Sequence, residues 1–293
     1  MPAYAPVPDR YAIPNYSVAG RAWRWIAALA IFGNIYLNYY SNTHPFHGQT
    51  MGQVSAKYPT LLTPAGYAFS IWGLIFFALA VYAVWQLLPA QRQMSLPDAV
   101  AKPLTLASVA TGGWVVLFAY ELILPSVGVM LLILSCLAAA YGRARRRIFV
   151  DAAPRWVGVP FSLYLGWISV ASVINLTIGI RELGWKTAEG VSVVLTLGLL
   201  AVIVLLALIM SRAFRDMVFP LVVAWALVAI WVVRLREVPE LGWAALAGAA
   251  VAAIGGALLS RIGGRKKPWE LRDAAAAAAE AQIAARRSMS AGE

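Results

Sequence analysis

The stretch PFSLYLGWISVASVINLTIG, residues 160–179, decides how this chain folds. It carries no charged residue and is long enough to cross a membrane, since a helix needs about 20 apolar residues to span a hydrocarbon core of about 30 Å. Four of its side chains follow one another at spacings of 3, 4 and 4 residues: Tyr164, Trp167, Ala171 and Asn175. That spacing places them on one face of a helix. Because an amide is costly against lipid, this face is expected to point into a bundle of helices.

The composition of the whole chain agrees with a membrane location. Of its 293 residues 61% are hydrophobic and 13% are charged, whereas soluble domains average about 45–50% and about 25%. This excludes a water-soluble enzyme, a disordered chain and a disulfide-rich secreted domain. We predict an all-α, polytopic transmembrane bundle, because lipid offers backbone groups no partners. About eight apolar runs are long enough to span: 22–40, 67–88, 103–121, 125–142, 157–180, 190–211, 217–234 and 241–261.

The basic residues alternate between the two sides of these runs. Of the 24 Lys and Arg residues, 19 fall on the side that holds both termini and five on the other. Cytoplasmic loops of membrane proteins are enriched in Lys and Arg, so we expect both termini in the cytoplasm of a bacterial-type cell with the protein in its inner membrane. The net charge of +11 is therefore attributed to topology, and the lipid bilayer, not a nucleic acid, is the expected partner.

The two ends of the chain differ in composition from the spans. Residues 1–21 are polar and are predicted to form a cytoplasmic N-terminal segment. Residues 265–293 are basic and Ala-rich, with acidic residues early and arginines late, which predicts a cytoplasmic helix whose dipole is complemented at both ends. The basic residues 265–267 serve either as a topological anchor or as a contact for anionic lipid.

Groups that perform catalysis are missing from the interiors of the spans. No Asp, Glu, Lys, Arg or His lies near a predicted midplane, and Glu121 falls at an interface. We therefore predict that the protein is not an enzyme, and an ion-driven carrier is disfavoured for the same reason. The two histidines, His44 and His47, lie in the loop 41–66 and are weak metal candidates, because no other side chain completes a ligand shell. They are either solvated or in contact with a ligand.

Aromatic and amide groups are what the spans do contain. Trp72, Trp114, Trp167 and Trp225 lie well inside apolar runs, and a buried indole N–H requires an acceptor from protein or ligand. The second run places Phe69, Trp72 and Phe76 on one face; the first carries Asn34, Tyr36 and Asn38, which do not all share one. These groups serve either helix packing through interhelical hydrogen bonds or a pocket for a flat, largely apolar ligand.

At these residues the sequence resembles the TspO/MBR family, the tryptophan-rich sensory proteins related to the mitochondrial translocator protein. The resemblance covers about residues 20–182. In the fifth run it is carried by Pro160, Tyr164, Leu165, Trp167, Ile168, Ala171, Ile174 and Asn175. In the second and third runs it is carried by Pro64, Phe69, Trp72, Tyr82, Trp85, Trp114 and Phe118.

The resemblance implies a five-helix core, residues 22–182, followed here by a three-helix extension, residues 183–264. It also implies a ligand of porphyrin or haem type, or a sterol, and a sensory, regulatory or transport role. The implied ligand-binding residues are Phe69, Trp72, Trp114, Tyr164, Trp167, Ala171 and Asn175. The chain departs from the family pattern at Ser70 and Ile71, where a Gly-Pro is usual, and at Thr111 and Gly112, where an Asn is usual.

Two other functions remain open at this point. The chain is alternatively a non-catalytic assembly subunit of a larger membrane complex, with the three additional helices as its docking surface. A homodimer is left open as its oligomeric state, and a homodimer would disfavour the assembly subunit. The small residues of the last run, WAALAGAAVAAIGGALLS, favour close helix contacts. A passive small-molecule transporter is the other alternative, although no inverted repeat is evident.

Overall fold

The computed structural model describes residues 18–150, 153–185 and 188–262, and within these ranges the chain is helical with no strand. Short 3₁₀ turns precede or join several helices, at Gly66–Ser70, Pro89–Gln91 and Arg155–Gly158. A π-helical turn, Val251–Gly255, links the last two helices into one continuous span. The α-helices are α1 (Val18–Thr43), α2 (Met51–Lys57), α3 (Ile71–Trp85), α4 (Ser95–Ala119), α5 (Ile123–Val150), α6 (Val159–Glu182), α7 (Glu189–Phe214), α8 (Val218–Glu237), α9 (Pro239–Ala250) and α10 (Gly256–Ile262).

Seven helical segments of the described chain are long and apolar enough to cross a membrane. They correspond to the second through the eighth predicted runs, so the prediction of a polytopic helix bundle is confirmed. The segments are Gly66–Trp85, Ser95–Ala119, Ile123–Ile148, Arg155–Glu182, Gly190–Phe214, Val218–Glu237 and Pro239–Ile262.

The first predicted run forms α1, a helix of 26 residues that is more polar than the other seven. It nevertheless lies alongside α4. Near one end Arg24 bonds Asp98, and near the middle a methyl group added at Gly112 would lie 3.0 Å from Cδ2 of Leu37. The polar residues of α1 are accommodated by pairing inside the bundle, which is why hydropathy alone undervalues this helix.

The predicted segments at the two ends fall mostly outside this description. Residues 1–17 of the N-terminal segment and the whole tail 265–293 lie outside the described residues. The part of the N-terminal segment that is described, residues 18–21, belongs to α1, so the helix begins four residues before the predicted run.

The C-terminal extension packs on the first five spans through α8. α8 lies against α6 at Gly166, where an added Cβ would approach Cβ of Val222 to 3.0 Å and the carbonyl oxygen of Phe219 to 3.4 Å. The contact is close because α6 has no side chain at this position. Several α8 residues, Val223 and Ala226 among them, are fully buried in the common core. The predicted extension is thus packed into the bundle through α8.

Ion pairs, one fully and one partly buried, join helices near one end of the bundle. Arg24 binds both carboxylate oxygens of Asp98 at 2.6 and 2.9 Å. Arg145 of α5 lies 2.5 Å from Asp216, whose other oxygen accepts the N–H of Val218 at 2.8 Å and so caps α8. Tyr141 donates a third bond to Asp216, at 2.8 Å. These ion pairs hold the start of α1 against α4 and hold α5 against the start of α8.

Candidate functional site

An aromatic cluster joins α3 with its 3₁₀ leader to α6. The ring of Phe69 meets Trp167 edge to face, with 5.9 Å between the ring centroids, and Trp72 meets Tyr164 in the same manner at 5.8 Å. Phe76 stacks on Trp72 at 5.1 Å. Such arrangements match the quadrupoles of aromatic rings. These five residues are called the aromatic cluster below.

The two sides of the aromatic cluster differ in burial. On α6, Tyr164 and Trp167 are buried, as is Asn175 further along the same face, so this face points into the bundle as the spacing predicts. Ala171 between them is half-buried. On the α3 side, Phe69 and Trp72 are half-buried. The cluster therefore has a fixed inner wall and a partly uncovered outer one.

The hydroxyl group of Tyr164 is held at the inner wall by α4. It lies 2.5 Å from Oγ1 of Thr111. Thr111 donates its own hydrogen to the carbonyl oxygen of Ala107 at 2.9 Å, so Tyr164 is the donor to Thr111. Thr111 is one of the two residues, with Gly112, at which the third run departs from the pattern that the resemblance implies, and it positions the tyrosine.

Amide groups of α1 lie beside this hydroxyl. Asn38 donates to Oδ1 of Asn34 at 2.8 Å. Asn34 is buried next to the Tyr164 hydroxyl, and its own Nδ2 has no hydrogen-bond partner within the described residues. Tyr36 points the other way and is 65% exposed. Of the three polar residues that stood out in the first run, the two asparagines therefore face the site.

Three of the seven residues implied by the family resemblance are not part of the aromatic cluster: Trp114, Ala171 and Asn175. Trp114 is buried and stacks on Phe118 of its own helix at 4.8 Å, while its indole N–H is buried without a partner among the described residues. The side-chain amide of Asn175 lies 3.4 Å from the hydroxyl oxygen of Ser126 on α5, whose hydrogen is donated to the carbonyl oxygen of Ile123 at 2.7 Å. The structure thus brings four of the seven residues together, Phe69, Trp72, Tyr164 and Trp167.

The two histidines of the loop 41–66 turn to different partners. His44 stacks on Tyr40 with 4.9 Å between ring centroids, and His47 contacts Tyr120 at 5.6 Å. Across residues 18–150, 153–185 and 188–262, no group of three or more His, Cys, Asp or Glu side chains is placed to hold a metal ion.

The segment that leads into α3, residues 58–70 (the lead-in segment), is bound by α8. The indole N–H of Trp225 donates to the carbonyl oxygen of Ala68 at 3.1 Å, and the backbone N–H of Ala65 donates to the carbonyl oxygen of Ala229 at 3.1 Å. Trp225 also meets the ring of Tyr67 edge to face. The backbone before α3 is not α-helical, so it needs such partners within a membrane protein.

Arg234 continues this contact towards the loop end of α8. It is buried, pairs with Glu237 and donates to the carbonyl oxygen of Thr60 at 2.9 Å. In the sequence Arg234 is one of the charges that follow a predicted span, whereas Trp225 is an indole expected to need an acceptor. No local pattern indicates that these two residues bind a segment more than 150 positions earlier.

A small, half-open cleft of about 190 Å³ lies at this same end of the bundle. Beside it, Lys57 bonds a carboxylate oxygen of Glu121 at 2.5 Å, and the hydroxyl group of Tyr58 bonds the other at 2.8 Å. These two bonds hold the pKa of Glu121 below its ordinary value; burial and the carboxylate together raise the pKa of Tyr58 to about 12. The residues that line the cleft are Lys57, Tyr58, Pro59, Thr60, Ile178, Arg181 and Glu182.

Comparison with known proteins identifies one family. The sequence model of a family described as TSPO-like protein matches residues 24–258. No curated protein and no solved structure matches the chain. The family match runs through the last three spans, beyond the residues 20–182 over which the sequence motifs indicated a resemblance. Because it covers most of the chain and includes the residues of the aromatic cluster, this membrane protein belongs to the family of TSPO-like proteins.

Proposed function

We propose that this TSPO-like protein binds a hydrophobic planar ligand of the tetrapyrrole class at the aromatic cluster, without catalysing a reaction. The supporting observation is the difference between the two walls of the cluster. Tyr164 and Trp167 are fixed by burial, and Tyr164 also by its hydrogen bond to Thr111, while Phe69 and Trp72 retain exposed ring surface. A flat conjugated ligand gains stacking energy on such surfaces and needs few polar contacts.

The proposed role of this binding is sensing or carrying the ligand within the membrane. In this proposal both termini lie on the cytoplasmic side of a bacterial inner membrane, on the strength of the 19 basic residues that alternate with the five on the opposite side. A sterol-like ligand would also fit an apolar aromatic wall. A sterol differs from a tetrapyrrole in the number of polar groups that it offers to the protein.

The alternative of an assembly subunit has less support. In that interpretation the three additional spans serve as a docking surface for other proteins. The inner face of α8 is instead occupied by the lead-in segment and by α6, through Trp225 and Val222. The extension therefore binds other parts of the same chain, next to the proposed ligand site.

The experiment is a titration of the purified protein in lipid nanodiscs with protoporphyrin IX, followed by the shift of its main absorption band. Empty nanodiscs supply the baseline, because porphyrins partition into lipid. Trp72→Leu and Trp167→Leu remove aromatic surface from the two walls, and Trp243→Leu, at a side chain 58% exposed on α9, is the matched control. We expect each cluster variant to weaken binding at least about tenfold, on the scale of one lost aromatic contact.

Two outcomes would contradict the proposal. One is a wild-type titration that saturates no better than empty nanodiscs. The other is equal weakening by Trp243→Leu and by the two cluster variants, which would show that binding does not depend on the aromatic cluster. Unfolding curves of all variants establish that each one is folded before its affinity is compared.

A further inference from the structure

Three exposed arginines lie where α7 and α10 end. Arg212 belongs to the last turn of α7, Arg215 directly follows that helix, and Arg261 belongs to the last turn of α10. The Nε–H group of Arg215 donates to the carbonyl oxygen of Ser260, the residue before Arg261, at 3.4 Å. This bond connects the two helix ends. The three arginines are called the arginine triad below.

The two helices run side by side up to the arginine triad, because glycines of the last span let them approach closely. An added Cβ at Gly255 would lie 3.0 Å from Cδ2 of Leu208. One at Gly256 would lie 3.1 Å from Oγ of Ser211. The helices are therefore still in contact at Ser211, the residue before Arg212.

The positive charge of the arginine triad is not balanced by the protein around it. Within the part of the chain that the structure describes, no carboxylate pairs with any of the three. The adjacent Asp216 is buried, pairs with Arg145 and accepts a hydrogen bond from Tyr141. Arg24 and Arg234, by contrast, each bind a carboxylate. The arginine triad therefore has three cations available to an outside anion.

The helix faces that lead to the arginine triad are apolar and uncovered. On each helix, exposed aliphatic side chains precede the arginine at spacings of 3 or 4 residues, which places them on the same face as that arginine. They are Val202, Leu205 and Ile209 before Arg212, and Ile254 and Leu258 before Arg261. The span Gly190–Phe214 has 25 residues, or about 37 Å of helix, whereas a hydrocarbon core is about 30 Å thick. Its ends therefore extend into the headgroup layers.

We infer that the arginine triad binds the phosphate group of an anionic phospholipid whose acyl chains lie along α7 and α10. Arginine binds phosphate oxygens through paired, charge-assisted hydrogen bonds. Aliphatic faces that end in unbalanced cations match both parts of such a lipid. A zwitterionic lipid brings a cation of its own, and a free phosphate ion has no acyl chains. The site is separate from the aromatic cluster, since none of its residues belongs to α3 or α6.

The backbone of Arg215 allows the charge to be removed without damage to the fold. Arg215 has φ of 52° and ψ of 44°, the left-handed conformation, and its backbone N–H donates to the carbonyl oxygen of Ser211. Glycine is the usual residue at this position after a helix, because it adopts this conformation without a steric cost. Arg215→Gly should therefore keep or raise stability while it removes the guanidinium group.

The test measures lipid binding to the purified, delipidated whole chain in detergent by native mass spectrometry. The probes are dioleoylphosphatidylglycerol, which is anionic, and dioleoylphosphatidylcholine, which has the same acyl chains and no net charge; inorganic phosphate is the competitor. The variants are Arg212→Gln, Arg215→Gly and Arg261→Gln. Arg92→Gln is the matched control, at an exposed arginine between α3 and α4.

We expect wild-type protein to bind phosphatidylglycerol at least about tenfold more tightly than phosphatidylcholine. Each variant of the arginine triad should lose about fivefold of this preference, the scale of one cation near an anionic headgroup. Arg92→Gln should retain the preference. Arg215→Gly should also melt no lower than wild-type protein in phosphatidylcholine, which would show that the guanidinium group, and not the fold, accounts for the lost affinity.

Three outcomes would overturn the inference. The first is equal binding of the two lipids by wild-type protein, and the second is an equal loss in Arg92→Gln, which would show that any surface arginine serves. The third is displacement of phosphatidylglycerol by an equal concentration of inorganic phosphate, since the acyl chains would then contribute nothing. If Arg215→Gly melts lower while Arg212→Gln and Arg261→Gln keep the wild-type preference, the role of Arg215 is structural and the inference also fails.

Discussion

The hydroxyl groups of Thr111 on α4 and Tyr164 on α6 meet at 2.5 Å, behind the aromatic cluster. The direction of this bond follows from the second contact of Thr111. Its single hydrogen goes to Ala107 at 2.9 Å, so the tyrosine donates and the threonine accepts. Removing the acceptor, Thr111, therefore has a different effect on stability from removing the donor, Tyr164.

We expect Thr111→Val to destabilise the protein more than Tyr164→Phe. The first leaves a buried phenol hydroxyl without its acceptor, at a cost of about 1–3 kcal/mol. The second leaves Thr111 bonded to Ala107, and a lost interhelical bond in a membrane protein averages about 0.6 kcal/mol. Equilibrium unfolding in mixed detergent micelles measures both. The reverse order would contradict the assigned direction.

The close contact of α6 with α8 at Gly166 predicts a large response to a small change. In Gly166→Ala the new methyl group would meet Val222 at about 3.0 Å, and overpacking of this kind costs about 1–3 kcal/mol. Gly198→Ala on α7, where an added Cβ meets nothing within 4 Å, is the control. It should be neutral or stabilising, since Ala favours helix. Equal melting temperatures of the two variants would argue against tight α6–α8 packing.

The buried pair of Arg145 and Asp216 should be far more sensitive than an exposed pair. Asp216→Ala leaves the guanidinium uncompensated and removes the cap of α8, a loss of about 3–5 kcal/mol. Lys57→Gln breaks the half-exposed pair with Glu121, where about 0–1 kcal/mol is expected. Unfolding free energies compare the two, and a loss of less than about 1 kcal/mol in Asp216→Ala would show that the pair is not buried in the membrane-embedded protein.

Trp225→Phe should lower ligand affinity by loosening the lead-in segment. The variant keeps an aromatic ring beside Tyr67 but cannot donate to Ala68. Trp231→Phe on the same helix is a close control, because the buried indole N–H of Trp231 has no partner to lose in the part of the chain that the structure describes. Protoporphyrin titration should show weaker binding by Trp225→Phe and none of that loss in Trp231→Phe. Similar affinities of the two variants would show that the bond from α8 to the lead-in segment does not affect ligand binding.

The contact of Glu121 with Lys57 and Tyr58 should weaken in acid. These bonds hold the pKa of Glu121 below the ordinary 4.5, so their contribution to folding is present above about pH 4.5 and is lost as the pH falls through the lowered value. The unfolding free energy of wild-type protein should exceed that of Glu121→Gln at pH 7, and the gap should close as the pH falls towards 3. A gap that widens in acid would show that the pKa of Glu121 is raised, not lowered.

Span positions could be predicted from sequence because lipid imposes a minimum length of apolar helix. The bounds were less predictable where a charge is paired inside the protein. α4 begins at Ser95, eight residues before the predicted run, since Asp98 binds Arg24 and Lys102 lies over the ring of Trp23. A hydropathy profile assigns these charged residues to a loop. α2 was missed although its capping box, Thr50 with Gln53, is a recognisable start signal.

The candidate site was predictable in part for the same kind of reason. The α6 face follows from residue spacing alone, because helical geometry fixes which side chains align. The contacts of α8 do not follow, since the acceptor for Trp225 is a backbone carbonyl 157 positions away. Neither does the pairing of Thr111 with Tyr164, which depends on how α4 and α6 pack.

The hydrogen bonds from α8 to Ala65 and Ala68 bear on any attempt to isolate a minimal version of this protein. A shortened chain that stops after α6 would keep the residues 20–182 over which the sequence motifs indicate the resemblance. It would nevertheless strand these peptide groups in hydrocarbon, where each unsatisfied one is expensive. The two parts of the sequence therefore depend on each other for stability, and the shortened chain is not expected to fold as an independent unit.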